Sequence, residues 1–123
     1  MEIVTSDIVD PNRVYDRIQR NTAGSVVLHF AVVRGQTGEQ ITESIEFERQ
    51  GDIEAELRSI TSDARENYKI EDFLIIRRLG KLVVGEVMSL VAASAPHRED
   101  AFDACRLGVE RMKKMKTVGK TER

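Results

Sequence analysis

The hydrophobic residues of this chain change period along its length, and that change limits the folds open to it. After Asp52, which can cap a helix, the apolar positions Ile53, Leu57, Ile60 and Ala64 recur at steps of four, three and four, the spacing of one helix face. Just before them the period is two: Ile41, Glu43, Ile45 and Phe47 alternate with Thr42, Ser44, Glu46 and Glu48, as in a strand with one mostly apolar face. Valine-rich Ser25 to Val33 reads as a buried strand, and Ile70 to Ile76 as another. Leu82 to Ala93 reads as a strand interrupted near Gly85-Glu86, and Gly80 marks a turn or bulge. Asp10-Pro11 looks like an N-cap followed by proline at the first helical position, with Val14, Tyr15 and Ile18 as a short helical face that Gly24 ends. Ser94 can cap a last helix, with Glu99 and Asp100 in its first turn and Phe102, Cys105, Val109 and Met112 as its buried stripe. The order helix, strand, strand, helix, strand, strand, helix predicts an α+β domain with helices packed on a largely antiparallel sheet.

At 123 residues the chain is long enough for one core, and a single domain over 1–123 is expected. The net charge of -2 argues against a general nucleic-acid binder. No stretch is apolar enough to span a membrane, and the start MEIVTSD lacks the basic and apolar blocks of a secretory signal. Cys105 is the lone cysteine, so neither a disulfide framework nor a cysteine metal cluster is expected, and a reducing cytoplasm is the natural compartment. No metal or cofactor site is predicted.

Charge is unevenly placed. Arg106, Arg111, Lys113, Lys114, Lys116, Lys120 and Arg123 make the C-terminal end a local positive field, opposed there by Glu110 and Glu122. Lys113 and Lys120 lie seven residues apart; lysine binds phosphate, moves protons or forms covalent adducts, though a solvated basic helix end has the same pattern. His97 and Arg98 follow Ser94-Ala95-Pro96 at a strand-to-helix junction, where free N–H groups favour anions; an exposed pair at a helix start is the plainer alternative. Arg34 stands in the loop Arg34–Gln40, either a ligand contact or a surface arginine. Of Arg77 and Arg78, alternation sends one to the core rim and the other to solvent. Cys105 and His29 sit among apolar residues and read as structural rather than reactive.

In order, these segments resemble the catalytic subunit family of molybdopterin synthase, from about Gly24 to Glu122. Gly24-Ser25-Val26-Val27 with Val33-Arg34 is similar to that family's glycine, buried strand and arginine loop. Ile45-Glu46-Phe47-Glu48 is similar to its Leu-Glu-Tyr-Glu strand, and Arg78-Leu79-Gly80 with Gly85-Glu86 to its Arg-Ile-Gly and Gly-Glu segment. Ser94-Ala95-Pro96-His97-Arg98, followed by Ala101-Phe102-Asp103-Ala104, is the most specific match, resembling Ser-Ala-His-Arg and Ala-Phe-Glu-Ala. The spacings from Arg98 to Lys113 and on to Lys120 also agree with the family. The chain departs from it at Thr117-Val118-Gly119, where the family has Pro-Ile-Trp, so a small residue replaces an aromatic one near the expected pocket.

The resemblance implies an α/β hammerhead-type fold and a homodimer within a heterotetramer. It implies sulfur transfer from the thiocarboxylate of a small ubiquitin-like carrier ending in Gly-Gly to cyclic pyranopterin monophosphate, giving molybdopterin. On it, Lys113 and Lys120 map to the catalytic lysines and Arg34, His97 and Arg98 to the substrate-binding residues. A non-catalytic relative that binds the carrier is the alternative, as is a generic phosphate-binding domain.

Overall fold

A computed structural model describes residues 1–123. Its elements in chain order are β1 (Glu2–Thr5), a 3-10 turn (Pro11–Arg13) running into α1 (Val14–Arg17), β2 (Ser25–Val32), β3 (Gln36–Thr37), β4 (Gln40–Ile41), β5 (Ser44–Arg49), α2 (Ile53–Asn67), β6 (Asp72–Arg78), β7 (Gly80–Val83), β8 (Val87–Ala95), α3 (Arg98–Lys113) and β9 (Val118–Glu122). A four-stranded sheet has the order β1-β6-β8-β2, and a three-stranded sheet the order β7-β5-β9. Every pairing is antiparallel except β1 on β6, so the α+β expectation is met.

The predicted middle helix forms as read. Asp52 accepts from the Ala55 N–H at 3.0 Å, and Ile53, Leu57, Ile60 and Ala64 are wholly buried. Asp10 likewise accepts from the Asn12 N–H, although the helix it starts is only one turn long. Gly85, at φ 92, supplies the left-handed turn between β7 and β8 that breaks the predicted Leu82–Ala93 strand. α2 and α3 cover one face of the larger sheet, burying Phe73, Ile75, Val91 and Ala93 in the main core. The N-terminal segment covers part of the other face, where Val9, Val14 and Ile18 meet Leu74, Ile76, Leu90 and Ala92.

Five expectations are corrected. The Ser25–Val33 strand is buried only in part: Val33 is in a core and Val26 and Val27 pack against the cores, but β2 is a sheet edge paired only to β8, and its Leu28, Phe30 and Val32 are exposed. Ser94 does not cap α3. It lies inside β8, wholly buried, with its hydroxyl donating to the Gln19 carbonyl, and His97 takes the N-cap position without a side-chain bond. Phe102 is 52% exposed, because α3 turns Ala101, Ala104, Cys105, Gly108 and Met112 to the sheet instead. At Gly108 the approach is so close that a Cβ would stand 2.7 Å from Val91 Cγ1 and 2.9 Å from Phe73 Cζ. Ile41 is exposed in the small β3–β4 ladder, and the β5 strand begins only at Ser44. Finally, Arg77 and Arg78 are both buried, at 7% exposure each.

Candidate active site

Alternation along the strands decides what faces the helix layer. On β6 the sequence Phe73, Ile75, Arg77 shares one face; on β2 the matching face is Val27, His29, Ala31. The first members of each row are covered by α3. The helix ends at Lys113, so Arg77, His29 and Ala31 outrun it and border a gap rather than a core. The smaller sheet closes the far side with Phe47 of β5 and Val118 and Lys120 of β9. The result is a cavity of about 340 Å³, within the range of small-molecule sites.

Lys113 and Lys120 both line it, the first from the end of α3 and the second from β9, directly across from Phe47 in the β5–β9 register. The Lys120 ammonium pairs with Glu122 Oε1 at 2.8 Å, two residues on and on the same strand face. The hydrogen bond from Lys120 and its charge hold the Glu122 carboxyl below the ordinary range; the Thr42 hydroxyl and the Arg34 charge add to this. Arg34 is exposed and acts at the Glu122 side, outside the lining itself. His97 and Arg98 are exposed at the opposite end of α3, which at 16 residues is about 24 Å long. One protomer therefore brings Lys113 and Lys120 to one cavity, sets Arg34 on its Glu122 side and leaves His97 and Arg98 apart.

β9 is the element that places Lys120, and its sequence gives no hint of a strand. Polar and basic, it forms because the open edge of β5 offers backbone partners to Val118–Glu122. Glu56 of α2 fixes its entry. The carboxylate accepts from the Lys116 and Thr117 N–H groups at 3.2 Å and from the Thr117 hydroxyl at 2.6 Å. Burial alone raises the Glu56 pKa, but these donors and the Arg111 charge outweigh it and hold the carboxyl below its ordinary value. The substitution at Gly119 does not enlarge the cavity. A Cβ there would meet the Gln50 amide, while Lys120, its neighbour in the strand, faces the cavity.

Two lining residues were misread from the sequence. His29 is exposed to the cavity rather than structural, and Arg77 is buried with its side chain on the cavity wall. The parity of each strand held the signal: His29 is two residues from Val27, and Arg77 two from Ile75. Arg77 stacks on Phe47, 4.2 Å from the ring centroid, and burial pushes its pKa down to about 10. Arg78 points to the other side and pairs with Glu86. Cys105 is core as expected, 3% exposed, and burial pushes its thiol up to about 11, which removes it as a nucleophile at neutral pH. The arrangement is thus an apolar-walled cavity with cationic groups and no carboxylate in its lining, suited to an anion and to proton transfer by lysine.

Comparison with known proteins gives a consistent set. The family described as MoaE protein matches residues 4–115, which include Arg34, Arg77, His97, Arg98 and Lys113 and end before Lys120. The molybdopterin synthase catalytic subunit of Pyrococcus abyssi is 33% identical over 106 residues, covering 85% of this chain and 72% of that protein. The crystal structure of molybdopterin synthase from Staphylococcus aureus has a TM-score of 0.90 at 26% identity, covering 98% of this chain and 89% of that one. A protein–protein complex of subunits 1 and 2 of the molybdopterin-converting factor from Helicobacter pylori shares the fold, with a TM-score of 0.77 at 11% identity over 98% of this chain and 83% of that one.

Proposed function

Because this chain belongs to the MoaE protein family, we propose that the cavity at the end of α3 is the sulfur-transfer site of a molybdopterin synthase catalytic subunit. Its role lies in molybdopterin synthesis, as its relatives are molybdopterin synthase catalytic subunits. The observation that carries the site assignment is the convergence of Lys113 and Lys120, from two separate elements, on one cavity without a lining carboxylate. The substrate, cyclic pyranopterin monophosphate, is a phosphate ester, and the incoming carrier tail ends in an anionic thiocarboxylate. Cationic walls offset their mutual repulsion, and the apolar lining strengthens each charge interaction. Lys120 gives acid–base or covalent help at the carbons that receive sulfur. Lys113 holds the thiocarboxylate or the phosphate.

The partner in this reading is a small ubiquitin-like carrier whose Gly-Gly end enters the cavity; the H. pylori structure is by name a complex of subunits 1 and 2 of the molybdopterin-converting factor. Arg34 lies at the Glu122 side, where it bears on the incoming anion. His97 and Arg98 stand too far along α3 to share one small substrate with Lys113, so within a homodimer they serve the site of the other protomer. The open edge of β2, with Leu28, Phe30 and Val32 exposed, supplies apolar surface for such a pairing. Residues 1–123 act as one unit, since β1 and β9 are each paired into a sheet. No helix is long and apolar enough to cross a membrane. The cytoplasm is the compartment of this reading, supported by the free thiol of Cys105, which suits a reducing environment.

Single-turnover dithiolene formation tests this. Lys120→Ala is expected to lose a factor of roughly 100 or more in turnover with folding and carrier binding retained. Lys113→Ala is impaired too. Lys114→Ala changes little, because Lys114 borders Tyr68 and Glu110 outside the cavity. Near-normal turnover by Lys120→Ala would put the non-catalytic carrier-binding reading ahead.

A further inference from the structure

Arg77 and Arg78 are adjacent, equally buried and differently compensated. Arg78 has the Glu86 carboxylate as counterion. Arg77 has none: burial is the single cause of its shift and no carboxylate acts on it. The Nε of each arginine is buried without a hydrogen-bond partner, so the missing counterion is what sets Arg77 apart. A buried cation left unpaired is costly, and folded proteins rarely keep one without use. The Phe47 ring covers one face of the guanidinium but takes none of its in-plane N–H donors, so the edge of the fork stays free. That side chain is on the cavity wall with Lys113 and Lys120, and Phe47 itself stands opposite Lys120 in the strand register.

We propose that Arg77 is a substrate-anchoring residue: its guanidinium edge binds a terminal oxyanion of the substrate inside the cavity, between Lys113 and Lys120. The geometry favours a planar fork stacked on an aromatic ring, which meets a carboxylate, thiocarboxylate or phosphate with two parallel N–H donors, a grip that a lysine does not reproduce. The anion supplies the counterion that the fold omits. This rests on the cavity being the sulfur-transfer site, and it adds a fourth cationic position to the residues already assigned within one protomer.

The test needs no turnover. Binding of inorganic phosphate and of a peptide ending in Gly-Gly carboxylate is measured by calorimetry and by thermal shift, on the full chain, for the wild type, Arg77→Met and Arg77→Lys. The wild type is expected to be stabilised by at least one probe. Arg77→Met should lose about tenfold or more in affinity for that probe, as expected for removing a charged bidentate contact, while its ligand-free melting temperature holds or rises. A purely structural arginine gives the opposite pattern, a lower melting temperature with unchanged anion affinity. Which probe responds identifies the phosphate or the carrier tail as the source of the oxyanion. Should Arg77→Met not fold, Arg77→Lys decides: weaker binding by a factor of about five or more is expected from the lost fork. Wild-type affinity for both probes in the folded variants, or no binding of either by the wild type, overturns the proposal. Loss of turnover in Lys120→Ala is independent of these readings, so the cavity's role and the anchor's role fail separately.

Discussion

Replacing Glu56 with alanine should loosen the strand that carries Lys120 without touching the cavity. Glu56 lies in the first turn of α2, and its carboxylate receives two backbone N–H groups and one hydroxyl from the connector between α3 and β9. A hydrogen bond to a charged group contributes about 1.5–3 kcal/mol. The two N–H contacts are long, at 3.2 Å, and water reaches the site, so the three together are worth about 2–3 kcal/mol rather than their simple sum. Loss of a carboxylate from the positive end of α2 adds about 0.3–1 kcal/mol, offset by a few tenths from the better helix propensity of alanine. A net loss of about 2–3 kcal/mol lowers the urea midpoint by roughly 1–2 M for a chain of this size. Hydrogen exchange gives the local reading: β9 amides should exchange about 30- to 150-fold faster, the factors that correspond to about 2–3 kcal/mol, while α2 amides stay the better protected. Turnover should fall along with β9 protection. The pH dependence has a definite sign. The folded pKa of Glu56 lies below its unfolded value, so its contribution is complete above the ordinary carboxylate range and is lost as the pH falls through the folded pKa. Glu56→Gln should flatten that acid limb. A stability loss under about 0.5 kcal/mol with unchanged β9 exchange would refute the latch.

Gly108→Ala gains about 1 kcal/mol of helix propensity but drives a methyl group into Val91 and Phe73, an overpacking cost of about 1–3 kcal/mol. A fall of a few degrees in the calorimetric melting temperature is expected, roughly 3–6 °C; an unchanged or higher value would show that α3 can lift off the sheet at no cost. For assembly, light scattering at micromolar concentration should report a dimer, and Phe30→Asp, placed on the exposed edge strand, should shift it to monomer with folding intact. A wild-type monomer, or a dimer untouched by that change, would count against β2 as the pairing surface.

Local chemistry is legible in the residue order. The α2 face from Ile53 to Ala64, its Asp52 cap, the Asp10 cap, the β7–β8 turn at Gly85 and the burial of Cys105 all follow from spacing and side-chain type, because each depends on neighbours within a few positions. The ordered likeness of Gly24 to Glu122 to one family added the activity and pointed to Lys113 and Lys120, which the fold does bring to one cavity. What the sequence did not carry was decided by partners distant along the chain. β9 is a strand only because β5 has a free edge, and β1 only because β6 does. Ser94 looks like a cap until β8 extends through it, and Phe102 looks buried until Gly108 sets how α3 rolls against the sheet. The fate of Arg77 shows the same limit most clearly. Strand alternation assigns it a face, but whether that face meets core, solvent or a cavity depends on where α3 stops and where the second sheet begins. Periodicity fixes direction along one element; the distance to the next element is a property of packing, and packing alone made a cationic cavity from residues that separately resemble surface and core.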